Sequence, residues 1–210
     1  MTESAWIDRQ LRRRGIHDRR VLDAMARVPR ELFVPEEFRA VAYDDAPVPL
    51  PFGQTVSQPF MVAVICQSLG LAGDERVLDV GTGSGYGAAV LAELVAEVHS
   101  IERIPELAEA ARSALASAGY DRVQVHVGDG SLGLPSHAPF GGIAVAAAAT
   151  EVPQALWDQL VEGGRIALPL KGDRRDQQLC VLQRTPAGPR LLASVPARFV
   201  PLVTGDGEQG

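Results

Sequence analysis

Cysteine, histidine and aromatic residues are scarce in this chain, a basic excess is missing, and so is any long apolar run. Each shortage narrows the field. The two cysteines, Cys66 and Cys180, lie in apolar contexts (VAVICQSL and QQLCVLQR) without metal-ligand spacing, so free buried thiols in a cytosolic protein are expected. Net charge is −6, from 20 basic and 26 acidic residues, which suits a soluble protein and argues against a nucleic-acid surface. No apolar stretch reaches the ~20 residues of a membrane span. The start, MTESAWIDRQLRRRG, is polar and Arg-rich and lacks the apolar segment of a secretion signal. A cytoplasmic protein with neither a membrane nor a nucleic-acid partner is expected. Of the four histidines, His17 and His137 lie in polar stretches, while His99 and His126 alternate within strand-like ones. No pair has ligand spacing, and no metal is expected.

What is present fits one domain: 210 residues can bury roughly 70% of the unfolded surface without staples. Residues 5–27 read as helical with a break at Gly15, because Trp6, Ile7, Leu11, Val21, Leu22 and Met25 recur at three- and four-residue steps. The interleaved Arg9, Arg12, Arg13, Arg14, Arg19 and Arg20 read as a solvated face, since Asp8, Asp18 and Asp23 are interspersed. Prolines at 29, 35, 47, 49 and 51 predict loop and extended chain up to Phe52. A helical apolar stripe, Phe60 to Leu69, comes next and ends at Gly70.

From there strands and helices alternate. RVLDV (76–80), VHSIE (98–102), VQVHV (123–127), IAVAA (143–147) and RIALPL (165–170) read as strands. Residues 88–95, 105–118 and 152–161 read as helices, the last closed by Gly163-Gly164. The pattern predicts an α/β fold with a mostly parallel, doubly wound sheet. QQLCVLQR (177–184) and RLLASVPARFVPL (190–202) read as a C-terminal antiparallel hairpin, and TGDGEQG as a frayed tail. Residues 1–75 then form an N-terminal helical and loop extension, 76–170 a βαβ core, and 171–210 the hairpin and tail. Trp157, at helical spacing, reads as core.

The strongest chemical signal is Leu78-Asp79-Val80-Gly81-Thr82-Gly83-Ser84-Gly85-Tyr86-Gly87, between the first core strand and its helix. A glycine-rich turn there lets backbone approach a ligand at the carboxyl end of a strand. Gly83-x-Gly85-x-x-Ala88 also matches a loose dinucleotide fingerprint, a weak match by itself. Asp79 argues against NAD, because a carboxylate before the glycines repels a pyrophosphate. Glu102 closes the next strand about twenty residues on, where an acid can accept from ribose hydroxyls; NAD enzymes share that feature. Asp129, in Gly128-Asp129-Gly130, closes the third. A lone acid at a strand end is readily a cap or turn residue; three at successive strand ends point to a ligand.

The sequence D-x-G-x-G-x-G resembles the cofactor loop of class I methyltransferases that use S-adenosylmethionine. More specifically, the chain resembles bacterial protein-L-isoaspartate O-methyltransferases along nearly its whole length. The resemblance is carried by RRRGIHDRRVLDAMARVPRELFVPEEFRAVAYDD (12–45), GQTVSQPFMVA (53–63), RVLDVGTGSGYGAAVLAEL (76–94), VGDGSLGLPSHAPF (127–140) and GGRIALPL (163–170), with DQQLCVLQR and RFVPL near the end. It implies a Rossmann-like class I methyltransferase fold. It also implies methyl transfer from S-adenosylmethionine to the α-carboxylate of L-isoaspartyl residues, leaving S-adenosylhomocysteine and an ester that collapses to succinimide. Isoaspartyl proteins and peptides would be its partners, and a monomer is expected. By the same resemblance, Ser57 is the active-site residue, a hydrogen-bonding group rather than a nucleophile, within an acceptor segment of Thr55, Val56 and Ser57. Asp79, Gly81, Thr82, Gly83, Ser84, Gly85, Glu102, Arg103, Asp129 and Gly130 would bind the cofactor, with Asp79 near its ammonium end and Gly128-Asp129-Gly130 near adenine.

An acceptor carboxylate is already ionised at neutral pH, so the missing histidine or carboxylate base in GQTVSQPFMVA is consistent with positioning chemistry. Ser57 lies just before a helix, with Pro59 in its first turn, where free backbone N–H groups favour an anion. The plain alternative is an N-cap. One departure from the family pattern is Gly141-Gly142, where an Asp usually precedes the fourth strand; the glycines could loosen an acceptor pocket. Alternatives are a carboxylate O-methyltransferase acting on Asp side chains of a dedicated peptide, a non-catalytic S-adenosylmethionine-binding module, and an NAD oxidoreductase. Thr55 and Ser57 weigh against the binding module, Asp79 against the oxidoreductase.

Overall fold

The computed structural model describes residues 3–172, 176–205 and 208–209. A helical start through Arg14 breaks at Gly15 (φ 100°) and resumes as Arg19–Arg27 (α1). Asp18 caps it, accepting from the N–H groups of Arg20 and Val21. Two single turns, Arg30–Phe33 and Glu36–Val41, occupy the proline-rich stretch; Val48–Pro49 then pairs antiparallel with Thr55–Val56. Pro59–Leu69 (α2) ends at Gly70 in the left-handed region.

The alternating core consists of Arg76–Val80 (β1), Tyr86–Ala92 (α3), Glu97–Glu102 (β2), Pro105–Ser117 (α4), Gln124–Val127 (β3) and Phe140–Val145 (β4). Gln154–Asp158 (α5), Leu160–Lys171 (β5), Gln177–Thr185 (β6) and Gly188–Ala197 (β7) complete it. The sheet runs β3-β2-β1-β4-β5-β6-β7, the first five strands parallel and the last two antiparallel. Parallel strands need crossovers, which cover both faces. On one face Leu11, Met25, Val62, Tyr86, Leu91 and Leu115 join the N-terminal extension to α2–α4. On the other, Leu78, Val80, Ile143, Val145, Leu156 and Leu168 pack beneath α5. Trp157 is partly buried against this second cluster, as a core residue should be.

Two expectations change, at the helix over 152–161 and in the tail. The predicted helix over 152–161 shrinks to Gln154–Asp158, because β5 begins at Leu160 and includes Gly163 and Gly164. The β4–β5 register slips there, from Phe140 opposite Leu160 to Gly142 opposite Arg165. A Cβ at Gly164 would lie 3.0 Å from the carbonyls of Gly141 and Val161, so the slip requires a residue without one.

The arginine-rich face is exposed, as expected, and two of its residues also make contacts distant in the chain. Arg12 and Arg13 pair with Asp8 in the open, but Arg14 pairs with Asp45 and stacks 3.6 Å over the Phe60 ring. Arg20 donates to the Leu71 carbonyl at 2.7 Å and to that of Leu94, tying α1 to the core.

In the tail, Val203–Thr204 pairs antiparallel with Glu208–Gln209 rather than fraying, while 206, 207 and 210 lie outside the described residues.

Gly141 is packed. A Cβ there would meet the Cβ and Cγ of Glu75 at 2.7 Å. Gly141→Ala is therefore expected to lower stability by about 1–3 kcal/mol through overpacking, read as a lower urea midpoint; an unchanged midpoint would mean that Glu75 moves aside without cost.

Candidate active site

The strand order reverses at β1, whose two neighbours are β2 and β4, and crevices form at the carboxyl ends of strands at such a switch point. Here β1 delivers Asp79 and then the glycine turn. Gly81 has φ +92°, and a Cβ on it would lie 3.5 Å from that of Ala146, narrowing the crevice. Asp79 is buried, its Oδ2 accepting from Ser100 Oγ at 2.7 Å, and Ser100 Oγ lies 2.6 Å from Thr82 Oγ1. Burial pushes the Asp79 carboxyl up to about 7; the Ser100 hydrogen bond opposes this, and the nearby Glu102 adds to it.

Glu102 closes β2 with both oxygens engaged by backbone: Oε2 accepts from Gly83 N–H at 2.9 Å and Oε1 from Ile104 N–H at 3.0 Å. A carboxylate has about four acceptor positions, so two remain after its orientation is set. Asp129 stands apart. Its Oδ1 accepts from the N–H and hydroxyl of Ser131, and its Oδ2 from Gly205 N–H at 2.7 Å. Partial burial raises its pKa, but these hydrogen bonds outweigh that and hold it below the usual carboxylate range.

About 1170 Å³ of open space lies over these strand ends, lined by Asp79, Gly81, Thr82, Gly83, Ser84, Glu102, Arg103 and Gly130, and by Thr55, Val56 and Ser57 across from them. A second cleft of about 1240 Å³ is lined by Pro47, Gln58, Met61, Arg198 and Phe199 and shares Thr55, Ser57, Ala146 and Val200 with the first. Thr55 and Ser57 thus stand where the two spaces meet. Two predicted residues do not line either. Gly85 begins α3 with φ +89°, and a Cβ on it would press to 3.1 Å from Leu115, so its role is packing. Asp129, beside the lining residue Gly130, clamps the turn after β3 to the C-terminal tail. Gly141 and Gly142 start β4, opposite the sheet end where Ala146 lines both spaces, so the expected loosening of an acceptor pocket does not arise from them.

The plain reading of Ser57 as a helix cap also falls. The cap position of α2 is Gln58, without a side-chain cap hydrogen bond, and Phe60 N–H is satisfied by Asp45 Oδ1 at 3.1 Å. Asp45 therefore already supplies a negative charge at that helix end, which removes the expected attraction of the bare helix terminus for an acceptor anion. Sequence reasoning missed the residue that holds this segment in place. Arg30 is fully buried, donating from Nε to the Ala42 carbonyl (2.7 Å) and from Nη2 to the Ser57 carbonyl (2.8 Å), over the ring of Tyr86 at 4.5 Å. Burial lowers its pKa, and Tyr86 opposes the shift. Arg198 and Val200–Val203 also line these spaces, a role that sequence reasoning did not assign to RFVPL. RFVPL carries only apolar and basic residues, with no spacing signal.

A glycine turn at the switch point, between acids at the ends of two neighbouring strands, defines a Rossmann-like class I methyltransferase. Residues 1–207 match the family described as protein-L-isoaspartate(D-aspartate) O-methyltransferase, and the chain belongs to that family. Among its relatives, protein-L-isoaspartate O-methyltransferase 2 of Marinobacter nauticus is 54% identical over 96% of this chain and 91% of its own. A solved protein-L-isoaspartate O-methyltransferase superposes with a TM-score of 0.85 at 28% identity, over all of this chain and 67% of that one. A Plasmodium falciparum protein assigned to the same enzymes, solved with S-adenosyl-L-homocysteine, gives 0.79 at 26% identity, over 95% of this chain and 97% of that one. The activity is S-adenosylmethionine-dependent methylation of L-isoaspartyl residues, which serves protein repair.

The displaced Asp79 carboxyl has a consequence for stability without ligand. With a folded-state pKa near 7, the folded protein holds a proton that the unfolded chain has released above about pH 4. Its contribution to stability is therefore full below pH 4 and declines as pH rises through 7, by on the order of 4 kcal/mol. Asp79→Asn is expected to melt above wild type at pH 8, with the advantage shrinking towards pH 5. A constant difference across that range would assign the effect to packing.

Proposed function

We propose that Thr55 and Ser57 present the acceptor carboxylate, that the glycine turn with Asp79 and Glu102 holds the donor, and that Arg198 draws the acceptor into its cleft. One observation carries this reading: Thr55 and Ser57 line both the cavity over the strand ends and the neighbouring cleft. The residues present fit S-adenosylmethionine. Asp79, buried at the end of β1, suits an ammonium, and the two remaining acceptor positions of Glu102 suit ribose hydroxyls. Bound there, S-adenosylmethionine supplies an electrophilic methyl on a sulfonium.

The chain's own work is orientation. An isoaspartyl α-carboxylate is ionised at neutral pH, so no proton needs removal. Ser57 donates a hydrogen bond that points one carboxylate oxygen along the line of attack, at a reacting distance of about 3 Å. Arg30, through the Ser57 carbonyl, fixes the backbone from which that hydroxyl projects. Leu202 and Val203, tied down through Gly205 to Asp129, limit water on the donor side. Within one domain, 1–75 forms the acceptor side, 76–170 the donor side and 171–210 a cover over both.

The protein acts as a cytoplasmic monomer in this reading, consistent with two free thiols and with exposed apolar side chains scattered over separate elements (Leu32, Phe52, Leu132, Leu191). No helix among the described residues is long and apolar enough to cross a membrane.

Paired peptides test the assignment. Methyl transfer is expected to an isoaspartyl peptide and not to its aspartyl twin; equal labelling would sink it. Ser57→Ala is expected to retain S-adenosylhomocysteine binding while slowing transfer about 10–100-fold, within the range of lost positioning; unchanged turnover would deny Ser57 this role. Arg198→Ala is expected to raise KM for the peptide with little change in kcat, as for a residue that binds acceptor and transition state equally. A fall in kcat alone would place Arg198 at the reacting atoms instead.

A further inference from the structure

The second face of the sheet gathers three of the four histidines, although their sequence spacing gives no hint of it. His99 on β2 and His126 on β3 project from one face, because His99 stands opposite Gln124 and Ile101 opposite His126 in adjacent parallel strands. The turn Pro135–His137 then passes below, bringing the His137 ring 4.2 Å from that of His99 and 5.0 Å from that of His126, centroid to centroid. One ring nitrogen from each of the three lies within 4.8 Å of the others, and His99 Nδ1 is 3.0 Å from His126 Nε2.

We propose that His99, His126 and His137 form a binding site for a divalent transition metal of the zinc type. Metal–nitrogen bonds of about 2.0–2.1 Å in tetrahedral geometry place nitrogens roughly 3.3 Å apart, so the 3.0 Å pair needs only a slight spread. The supporting groups are those such sites use. His99 Nε2 lies 2.8 Å from Glu97 Oε1, so the carboxylate takes its N–H and leaves the Nδ1 lone pair facing the cluster. Arg76 steadies that support, its Nε 2.8 Å from the other Glu97 oxygen and its Nη1 donating to the His137 carbonyl at 2.8 Å. Glu97 and Arg76 cancel in charge, so three neutral imidazoles carry the metal, with an open fourth position for water on the half-buried side of His126 and His137.

Without metal, the 3.0 Å contact is an N–H···N bond from His126 to His99. On metal binding His126 keeps its proton by carrying it on Nδ1, which frees Nε2 to coordinate. His99 lies two residues before the cavity-lining Ile101 along β2, roughly 7 Å of strand, and its side chain points to the second face of the sheet. The site joins β2, β3 and the segment leading into β4, so its effect is to clamp that edge of the sheet, outside the methyl-transfer chemistry.

The test uses tag-free protein and Co²⁺ and Zn²⁺ as probes. Wild type is expected to bind one Co²⁺ with the intense visible absorption of a tetrahedral site, and Zn²⁺ should displace it and raise the melting temperature. His126→Gln and His137→Gln, at half-buried positions and checked for folding by their metal-free melting curves, are expected to lose this binding. Glu97→Gln should weaken it 10–100-fold, and His17→Asn should leave it intact. Isoaspartyl methylation is expected to be unaffected by a chelator. Failure of folded wild type to bind one equivalent, or binding unchanged in both glutamine variants, would overturn the proposal.

Discussion

Parallel pairing of β1 on both sides is the constraint on which the rest of the structure depends. Its neighbours, being parallel to it, can be reached only by crossovers, and within the parallel core these crossovers cover both faces, whereas the chain leaves β5 by a short connection to antiparallel β6. Because the strand order reverses at β1, the segments leaving the carboxyl ends part company there and open a crevice. The glycine turn lies in that crevice because the chain enters it directly from the end of β1. Asp79 is buried because it is the penultimate residue of a strand hydrogen-bonded on both edges and covered on both faces. A carboxyl so placed is held near neutrality by desolvation, with Ser100 and Thr82 lending only partial compensation. Strain of this electrostatic kind, kept in a cavity wall, is characteristic of groups that await an opposite charge.

The cover over the crevice is assembled from both chain ends. Arg30 reaches from the N-terminal extension to the backbone at Ser57, and Asp129 reaches from the core to the tail at Gly205. Both tethers are charged side chains bound to backbone atoms, an arrangement that fixes a loop without depending on its side chains. The two cavities consequently meet at a segment that is itself neither helix nor core strand. Its hydroxyls are not spent on capping, since Gln58 occupies the cap position and Asp45 satisfies a first-turn N–H.

Much of this was legible in residue order. The strand at 76–80, the helix over 105–117 and the antiparallel hairpin arise from periodicity and from turn residues, and the acids at successive strand ends pointed to a ligand. Other features were not legible, for identifiable reasons. Gly163-Gly164 looked like a helix stop but serves a register slip, because backbone crowding against Gly141 is a property of the paired strand. Asp129 reads like its counterparts at 79 and 102, and residue order does not show that it also binds Ser131 and Gly205, since the tail comes back over it. Arg14 and Arg20 are exposed as read, but their contacts with groups distant in the chain were not legible in residue order.

The sequence by itself determined the class of fold, the glycine turn at the end of β1 and the family, because these depend on local periodicity, on glycines in a short turn and on contiguous motifs. Only the tertiary structure decided that Arg30 holds Ser57, that Val200–Val203 close the cavity, and that His99, His126 and His137 share one small space. The reason is geometric. Adjacent strands bring together residues more than twenty positions apart, and no one-dimensional pattern records which side chains will then face each other across the sheet.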